Sequence, residues 1–237
     1  MGQEKLKILN SRLMRKNTTQ VIPPDPSLEK GAGGDFKIKR AKSLNLPMTR
    51  KDALDLHVGD VVLIKGLLVT GRDKLHKYLC KERPPKEVIP FNLDGTILYH
   101  CGPIIEKTPK DYRFIAGGPT TSMRVEMYEA QIIAEYGIRG VMGKGGMGRQ
   151  TLGALRKYGC VYLHTIGGAA VYLASRVKRV SGVWKLEEFG MTEAMWILQV
   201  NDFPAIVTMD AHGKSLHDEI QMSSRIVLKK LLRLHQV

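Results

Sequence analysis

Short apolar runs that end in glycine-rich or polar turns recur along the chain from residue 61 onward, and several of them lead into a helical pattern. Runs of this length that are rich in β-branched residues are typical of buried strands. The pattern predicts strands over residues 61–69, 96–101, 112–116, 138–142, 160–165, 194–200 and 205–209. It predicts helices over residues 74–81, 123–136, 149–158, 168–177 and 220–235. The last helix is basic and amphipathic and is expected to pack on a sheet.

The first 46 residues differ in composition from the rest of the chain. They are basic and contain a proline-rich segment at 23–26 and a glycine-rich segment at 31–34. This composition predicts a mobile extension with a short helix over residues 4–15, either a targeting peptide or a plain solvated segment. Residues 47–237 are expected to form the folded domain. Thr49 and Asp52 have the spacing of a capping box at the start of a short helix.

Three strand-to-helix junctions each place one cationic side chain just after a predicted strand, namely Arg72, Arg124 and Lys144. A helix start presents unpaired N–H groups and the positive end of the helix dipole, so it attracts anions. The central junction also carries Thr120 and Thr121, and Thr120 would share a helix face with Arg124 if the helix began by Thr120. Arginine binds a carboxylate through two parallel hydrogen bonds, whereas lysine acts as a point charge. This set suits a small dicarboxylate.

Residues 143–148 match the pattern G-x-G-x-x-G between a predicted strand and a predicted helix. That pattern favours a dinucleotide cofactor when an acidic residue follows about 20 residues later. The strand at residues 160–165 ends without such an acid, and Lys144 is followed by glycine rather than by the Ser or Thr of a phosphate-binding P-loop. A nucleotide-binding oxidoreductase domain therefore stays a distant alternative. Glycines here can also serve close approach of the backbone to another ligand.

The net charge of the 237-residue chain is +14, with a pI near 9.7. A basic chain suggests nucleic-acid binding, so a non-catalytic, basic nucleic-acid-binding module is a further hypothesis for the function. Aromatic residues make up only 6% of the chain and no nucleic-acid-binding motif is recognisable, so we expect no nucleic-acid partner. Attraction of small polyanionic substrates, or of an acidic partner subunit, explains the charge equally well.

The three cysteines, Cys80, Cys101 and Cys160, are an odd number at long, irregular spacings without a C-x-x-C pair. They are expected to be buried thiols in a reducing, cytoplasmic compartment, and not ligands of an iron–sulfur cluster. No apolar run reaches the length of a membrane span, so no membrane association is expected.

Three segments in this order resemble one family. They are Gly71-Arg72-Asp73 with His76, the run from Gly118 to Arg124, and Gly143-Lys144-Gly145-Gly146-Met147. The chain resembles the β subunit of the class I iron–sulfur hydro-lyases, fumarase and L-tartrate dehydratase, over residues 44–234. It departs from the family pattern at Val125, where methionine is usual, and in its N-terminal extension.

The resemblance implies the α/β class, with a swivelling β/β/α domain that has a mixed, partly parallel sheet and flanking helices. It also implies a partner α subunit in an α2β2 assembly, with a [4Fe–4S] cluster ligated by that α subunit and no metal bound by this chain. The substrate would be a small dicarboxylate, and the favoured reaction is reversible hydration of fumarate to (S)-malate. L(+)-tartrate dehydratase and mesaconate hydratase are the alternatives.

The resemblance also assigns roles to residues of this chain. Thr120 is expected to be the catalytic base. The residues expected to bind the substrate are Arg72, Thr120, Thr121, Arg124, Lys144 and Gly145. His76 and Asp73 are expected to support these residues without contacting the substrate themselves.

Overall fold

The computed structural model describes residues 41–234. The predicted helix over residues 4–15 lies outside this range, as does most of the predicted N-terminal extension. The strands are β1 (Lys42–Asn45), β2 (Val61–Gly71), β3 (Ile97–His100), β4 (Ile104–Lys107), β5 (Tyr112–Ala116), β6 (Gly140–Gly143), β7 (Val161–His164), β8 (Val177–Trp184) and β9 (Met195–Met209). The helices are α1 (Arg50–Leu54), α2 (Asp73–Glu82), α3 (Glu126–Tyr136), α4 (Arg149–Tyr158), α5 (Ala170–Ala174), α6 (Leu186–Phe189) and α7 (Leu216–Leu234). Two 3-10 turns span Lys86–Val88 and Ser122–Val125.

Seven strands form one mixed sheet in the order β1-β2-β3-β6-β7-β9-β8. The pairs β1–β2, β2–β3, β3–β6 and β6–β7 are parallel, whereas β9 pairs antiparallel with β7 and β8. Strand β9 also pairs antiparallel with β2, so β2, β3, β6, β7 and β9 form a closed circuit. The mixed sheet and its flanking helices confirm the predicted α/β class.

Strand β9 replaces the two separate strands predicted over residues 194–200 and 205–209. The polar pair Asn201-Asp202 interrupts the apolar pattern, but the chain continues as one strand through it. Asp202 adopts a left-handed conformation with φ of 52°, and the register of β9 on β2 shifts at Gly66. The polar pair therefore marks an irregularity within one long strand, which lets β9 reach both β2 and β7.

Side chains of the sheet alternate between two hydrophobic clusters on its two faces. In β3, Ile97 and Tyr99 belong to one cluster, whereas Leu98 belongs to the other. Helices α2, α3 and α4 pack against the second face, and α1 and α5 contribute to the first. Helices α2 and α4 follow the ends of β2 and β6, so their first turns lie at one edge of the sheet.

The capping box predicted at Thr49 is present at the start of α1. The Asp52 backbone N–H donates to the Thr49 hydroxyl, and the Thr49 N–H donates to the Asp52 carboxylate at 2.7 Å. Strand β1 lies within the last residues of the predicted extension and joins the sheet beside β2. The predicted strand over residues 112–116 is also present as β5. However, it pairs with β4 in a separate two-stranded sheet.

Helix α7 differs from its prediction in packing. It begins at Leu216 rather than at Ile220, and its large apolar side chains are exposed instead of packing on the sheet. Those with more than half of their surface exposed are Ile220, Met222, Ile226, Val227, Leu228 and Leu232. An amphipathic pattern indicates that a helix has an apolar face, but it does not indicate which surface that face contacts.

Among the helices within residues 41–234, none is long and apolar enough to cross a lipid bilayer.

Candidate active site

The parallel strands β2, β3, β6 and β7 end side by side. In the register of the sheet, Gly71 lies beside His100, and Gly143 lies beside His164. In open and closed α/β sheets alike, ligands bind outside the carboxyl ends of the parallel strands, because loops from several strands meet there. Two of the predicted cations, Arg72 and Lys144, follow directly after β2 and β6. The sheet therefore brings these two junctions to the same edge.

The Thr120 loop is attached to this edge through its backbone. The Thr120 N–H donates to the His100 carbonyl oxygen at 2.8 Å, and the Lys144 N–H donates to the Thr120 carbonyl oxygen at 3.2 Å. The Ser122 N–H then donates to the Lys144 carbonyl oxygen at 3.0 Å. Residues 120–122 thus pair with Lys144 as an additional short piece of parallel strand, with a bridge between Thr121 and Lys144.

This pairing shows that the helix does not begin by Thr120, which was the condition for Thr120 and Arg124 to share a helix face. The chain first forms the 3-10 turn Ser122–Val125, and α3 begins only at Glu126. Thr120 and Arg124 therefore do not share a face of one α-helix. The N–H groups of Thr120 and Ser122 bond to carbonyl oxygens, so neither is free for an anion. The loop can therefore contact a substrate through its side chains, but not through these two N–H groups.

Asp73 brings the two predicted arginines together. Its Oδ2 atom lies 2.6 Å from Nη2 of Arg124 and 4.0 Å from Nη2 of Arg72. Glu193 contacts the other side of Arg72, with its Oε1 atom 3.5 Å from Nε. Like charges so close would repel each other, and the carboxylate between them offsets that repulsion. Asp73 thus lies between the two guanidinium groups and contacts both.

A glycine gives the Arg72 side chain its room. A Cβ atom on Gly102 would lie 2.5 Å from Nη1 and 2.7 Å from Cδ of Arg72. Any larger residue at this position would have to displace the guanidinium. Gly102 follows β3, so a third strand end contributes to the placement of Arg72.

The polar side-chain ends of Thr120 and Lys144 have no hydrogen-bond or ion-pair partner within the described part of the chain. Thr120 is partly exposed, whereas Thr121, Lys144 and Gly145 are exposed. Gly145 has φ of 83°, and a Cβ built there meets nothing within 4 Å. A hydroxyl and an ammonium group are therefore free to meet a ligand at the edge that Arg72 and Arg124 also reach.

Two cavities border this edge. A cavity of about 490 Å³ beside it is lined by Met123, Arg124, Glu126 and Arg149, and a second of about 490 Å³ by Gly145 and His217. Neither of these two cavities is lined by Arg72, Thr120 or Lys144. Of the three predicted cations, only Arg124 lines either of these two cavities.

A buried cluster beneath this surface was missed by the sequence analysis, apart from His76. His76 Nε2 lies 3.2 Å from His100 Nε2 and 3.2 Å from Glu129 Oε2, and His100 Nε2 lies 3.1 Å from the same oxygen. The outer nitrogen of each ring is also engaged. His76 Nδ1 lies 2.7 Å from the Arg72 carbonyl oxygen, and His100 Nδ1 lies 2.9 Å from the Ser122 hydroxyl. The cluster therefore contacts two of the loops that form the edge.

Glu129 was missed because the helical pattern over residues 123–136 did not show which face of α3 is buried. Met127, for example, is 72% exposed. The buried residues of α3 are Glu129, Ile132, Ile133 and Tyr136. Glu129 lies three residues before Ile132 and four before Ile133, so it shares a helix face with both. An acidic residue on the same face as two isoleucines is the signal that could have revealed a buried carboxylate.

The surroundings of Glu129 and His100 determine whether each of these side chains is charged. Burial alone would raise the pKa of Glu129, but the hydrogen bonds of His100 and His76 outweigh it and lower that pKa to about 2. Burial lowers the pKa of His100, and the contact with Glu129 only partly opposes this. At neutral pH Glu129 is a carboxylate and His100 is a neutral imidazole.

The first turn of α4 already holds a carboxylate. Glu126 accepts hydrogen bonds from the Gly148 N–H at 2.7 Å, the Thr151 N–H at 3.2 Å and the Thr151 hydroxyl at 2.7 Å. A dinucleotide pyrophosphate would need these N–H groups at the helix start that follows the G-x-G-x-x-G pattern. The contact with Glu126 therefore argues against a nucleotide at residues 143–148.

All three cysteines are buried free thiols, as predicted. Cys101 packs in the cluster on one face of the sheet, whereas Cys80 and Cys160 pack in the cluster on the other. Burial raises the pKa of the Cys80 thiol to about 11 and that of Cys101 to about 12. Protonated thiols on opposite faces of a sheet cannot ligate one iron–sulfur cluster. The described residues of this chain therefore do not fit such a cluster.

Comparison with known proteins identifies the family. A family model described as the fumarase C-terminus matches residues 11–220. This chain belongs to the fumarase C-terminus family. The match confirms the resemblance inferred from the three sequence segments and covers every residue predicted for the site.

Members of the fumarase C-terminus family differ in how much of a longer protein this region makes up. The chain is 50% identical over 187 residues to a putative fumarate hydratase class I of Geobacillus stearothermophilus, covering 78% of this chain but 35% of that protein. It is 41% identical to a putative L(+)-tartrate dehydratase subunit beta of Methanocaldococcus jannaschii, covering 79% of this chain and 96% of that protein. It is 38% identical to the L(+)-tartrate dehydratase subunit beta of Escherichia coli K12, covering 74% of this chain and 86% of that protein.

Proposed function

We propose that this chain is the β subunit of a class I iron–sulfur hydro-lyase and that it binds the carboxylates of a small dicarboxylate. The favoured reaction is the reversible hydration of fumarate to (S)-malate. One observation carries the proposal: Arg72, Arg124, Thr120 and Lys144 lie on loops that the sheet and three backbone hydrogen bonds bring to one edge.

The charges of this edge suit a doubly negative ligand. Asp73 contacts one Nη atom of each guanidinium, so further N–H groups of Arg72 and Arg124 remain for a substrate carboxylate. The Lys144 ammonium reaches the second carboxylate as a point charge. The Thr121 hydroxyl and the open backbone at Gly145 complete the proposed contacts.

Thr120 is the proposed base. In the direction of dehydration it removes a proton from the carbon next to one carboxylate. The electron pair of that C–H bond forms the C=C bond while the C–O bond of the neighbouring carbon breaks. The departing hydroxide takes a proton from an acid that we place on the partner chain and leaves as water.

A threonine hydroxyl is a weak base at neutral pH, so this step needs a stabilised alkoxide. The positive charges of Arg124 and Lys144 supply the required field. They also stabilise the negative charge that develops on the substrate carboxylate as the proton leaves. The free hydroxyl of Thr120 is consistent with this function, because a hydroxyl that caps a helix would be hydrogen-bonded to it.

A second chain completes the site in this proposal. Two relatives are named beta subunits, and in the Geobacillus relative the matching region is 35% of a longer chain. We therefore propose an α subunit, in an α2β2 assembly, that covers this edge. It would also hold the [4Fe–4S] cluster, which the cysteines of this chain do not fit. Such a cluster would supply a Lewis acid for the leaving hydroxyl. The buried free thiols support a reducing, cytoplasmic location.

The substrate is proposed from the relatives. The 50% identical Geobacillus relative bears the name of a fumarate hydratase, which favours fumarate. Two relatives bear the name of L(+)-tartrate dehydratase, so tartrate is the alternative, with mesaconate as a methylated analogue of fumarate.

The test is reconstitution with an α subunit. The chain is co-purified with the α subunit of its source, and iron and sulfide are added under anaerobic conditions. The values of kcat/KM are then measured for fumarate, L(+)-tartrate and mesaconate. We expect activity only in the mixture, with fumarate preferred at least tenfold. Preference for tartrate would change the substrate but keep the reaction, whereas no turnover of any dicarboxylate by a complex with an intact cluster would overturn the proposal.

A further inference from the structure

We propose that His76, His100 and Glu129 bind a divalent transition-metal ion, of which zinc fits best, at a buried structural site beneath the candidate active site. The three inward-facing atoms are His76 Nε2, His100 Nε2 and Glu129 Oε2. They lie 3.1 to 3.2 Å from one another, and all three residues are fully buried. The site is independent of the hydro-lyase reaction, and its occupancy is measured without a substrate.

The lone pairs of the cluster converge on a place that suits a cation. His76 Nδ1 faces the Arg72 carbonyl oxygen at 2.7 Å, and a carbonyl only accepts, so Nδ1 bears a hydrogen and Nε2 is free to act as a ligand. The lone pair of Nε2 then faces a carboxylate oxygen 3.2 Å away. Two lone pairs cannot satisfy each other in a buried site. A metal ion between them would satisfy both.

The distances favour a metal over a proton. Hydrogen bonds between a charged N–H donor and a carboxylate are usually about 2.7 to 2.9 Å long, shorter than both contacts to Glu129 Oε2. A tetrahedral zinc ion with bonds of about 2.0 to 2.1 Å keeps its ligand atoms about 3.3 Å apart. The observed separations of 3.1 to 3.2 Å come close to that value.

The surroundings have the features of a metal site. Each ring uses its outer nitrogen for an orienting contact, His76 with the Arg72 carbonyl and His100 with the Ser122 hydroxyl. Metal-ligating histidines are normally oriented in this way. The second oxygen of Glu129 is buried, with no hydrogen-bond partner within the part of the chain that is described, so the carboxylate is free to bind the ion through both oxygens. Two imidazoles and a carboxylate suit zinc better than magnesium or calcium.

A metal at this point would connect the elements that form the candidate active site. His76 lies in the first turn of α2, His100 ends β3 and Glu129 lies in α3. His76 contacts the Arg72 carbonyl through its ring, and the His100 carbonyl accepts the Thr120 N–H. The ion would therefore fix the Arg72 and Thr120 loops relative to each other.

The experiment measures metal in the full chain, purified without a histidine tag and dialysed against EDTA to remove loosely bound ions. Elemental analysis is done on the wild type, on Glu129→Gln and on Glu135→Gln. Glu135 is a matched control, because it lies on the same helix and contacts Gln131 and Arg83 instead of the cluster. We expect about one zinc ion per chain in the wild type and in Glu135→Gln, and at least a tenfold smaller amount in Glu129→Gln.

A second measurement does not depend on the folding of a variant. The wild-type chain is stripped under mild acid, returned to neutral pH and titrated with Zn²⁺ or Co²⁺. We expect a rise in Tm of roughly 5–10 °C at a hundredfold excess over Kd, and cobalt absorption bands typical of four-coordinate sites. A folded wild-type chain that contains no metal and whose Tm does not change would overturn the proposal.

Discussion

The backbone N–H of Lys144 donates a hydrogen bond to the carbonyl oxygen of Thr120 at 3.2 Å. These residues lie on different loops, one after the β4–β5 hairpin and one after β6. The bond means that the proposed base and the proposed partner of a substrate carboxylate are held at a fixed backbone separation before any ligand arrives. Such preorganisation is the condition under which charged groups stabilise a developing charge most effectively.

The function of Thr120 is tested by Thr120→Val, which removes the hydroxyl and keeps the shape of the side chain. We expect kcat of the assembled enzyme to fall by roughly 10²- to 10⁴-fold, the usual contribution of a general base, with little change in KM. Thr120→Ser, which keeps the hydroxyl, should recover most of the activity. Near-normal turnover by Thr120→Val with the cluster intact would show that another group takes the proton.

The proposed bidentate binding of a substrate carboxylate by Arg124 is tested by Arg124→Lys. Lysine keeps the positive charge and can keep the pair with Asp73, but it cannot bind a carboxylate through two parallel hydrogen bonds. We expect kcat/KM to fall roughly 10- to 100-fold, which corresponds to the loss of about one charged hydrogen bond. Arg113→Lys is the control, because Arg113 forms an ion pair with Glu106 on the β4–β5 hairpin. Equal kinetics of the two variants would argue against contact between Arg124 and the substrate.

The placement of Arg72 is tested by adding a methyl group at Gly102. Because that methyl group would lie 2.5 Å from the guanidinium, Gly102→Ala should displace Arg72 and raise KM about tenfold or more. Gly153→Ala is the matched control, since a Cβ there meets nothing within 4 Å and an alanine within α4 should stabilise the helix. Thermal unfolding of both variants separates loss of binding from loss of the fold. An unchanged KM in folded Gly102→Ala would contradict the placement.

The thiols are expected to be unreactive in the folded chain. With pKa values of about 11 and 12 for Cys80 and Cys101, no more than roughly one thiol in a thousand is a thiolate at pH 8. We expect labelling by a thiol-specific disulfide reagent to be at least a hundredfold slower than after unfolding in guanidinium, where three thiols should react. A cysteine that labels rapidly in the native chain would be exposed or activated, contrary to the structure.

Local sequence signals predicted the helices and strands that are bounded by glycines or polar turns. Helix α4 has the predicted bounds because glycines flank it on both sides, and β5 has its predicted bounds between a polar turn and Gly117. The cations at the ends of β2 and β6 were also predictable, since parallel strands bring their carboxyl ends together. These features depend on turns and periodicity within a few residues of chain.

Other features depend on long-range contacts that a periodicity argument does not contain. The closure of the sheet requires β9 to pair with both β2 and β7, and the pairing of Thr120 with Lys144 replaces the expected helix start. Glu129 reads as a solvent-facing residue until α2 and β3 bring two histidines to it. The amphipathic pattern of α7 predicts an apolar face, but it does not indicate which surface that face contacts.

The most direct test of the central claim measures succinate binding to the assembled, cluster-containing complex by calorimetry. Succinate is doubly negative like the proposed substrate but cannot react. Lys144→Met should raise the dissociation constant of succinate about tenfold or more, because one carboxylate loses its ammonium partner. Lys178→Met, at an exposed position on β8, should leave it unchanged. If Lys144→Met bound succinate as tightly as the wild type, the proposal that this edge binds a dicarboxylate through Lys144 would be contradicted.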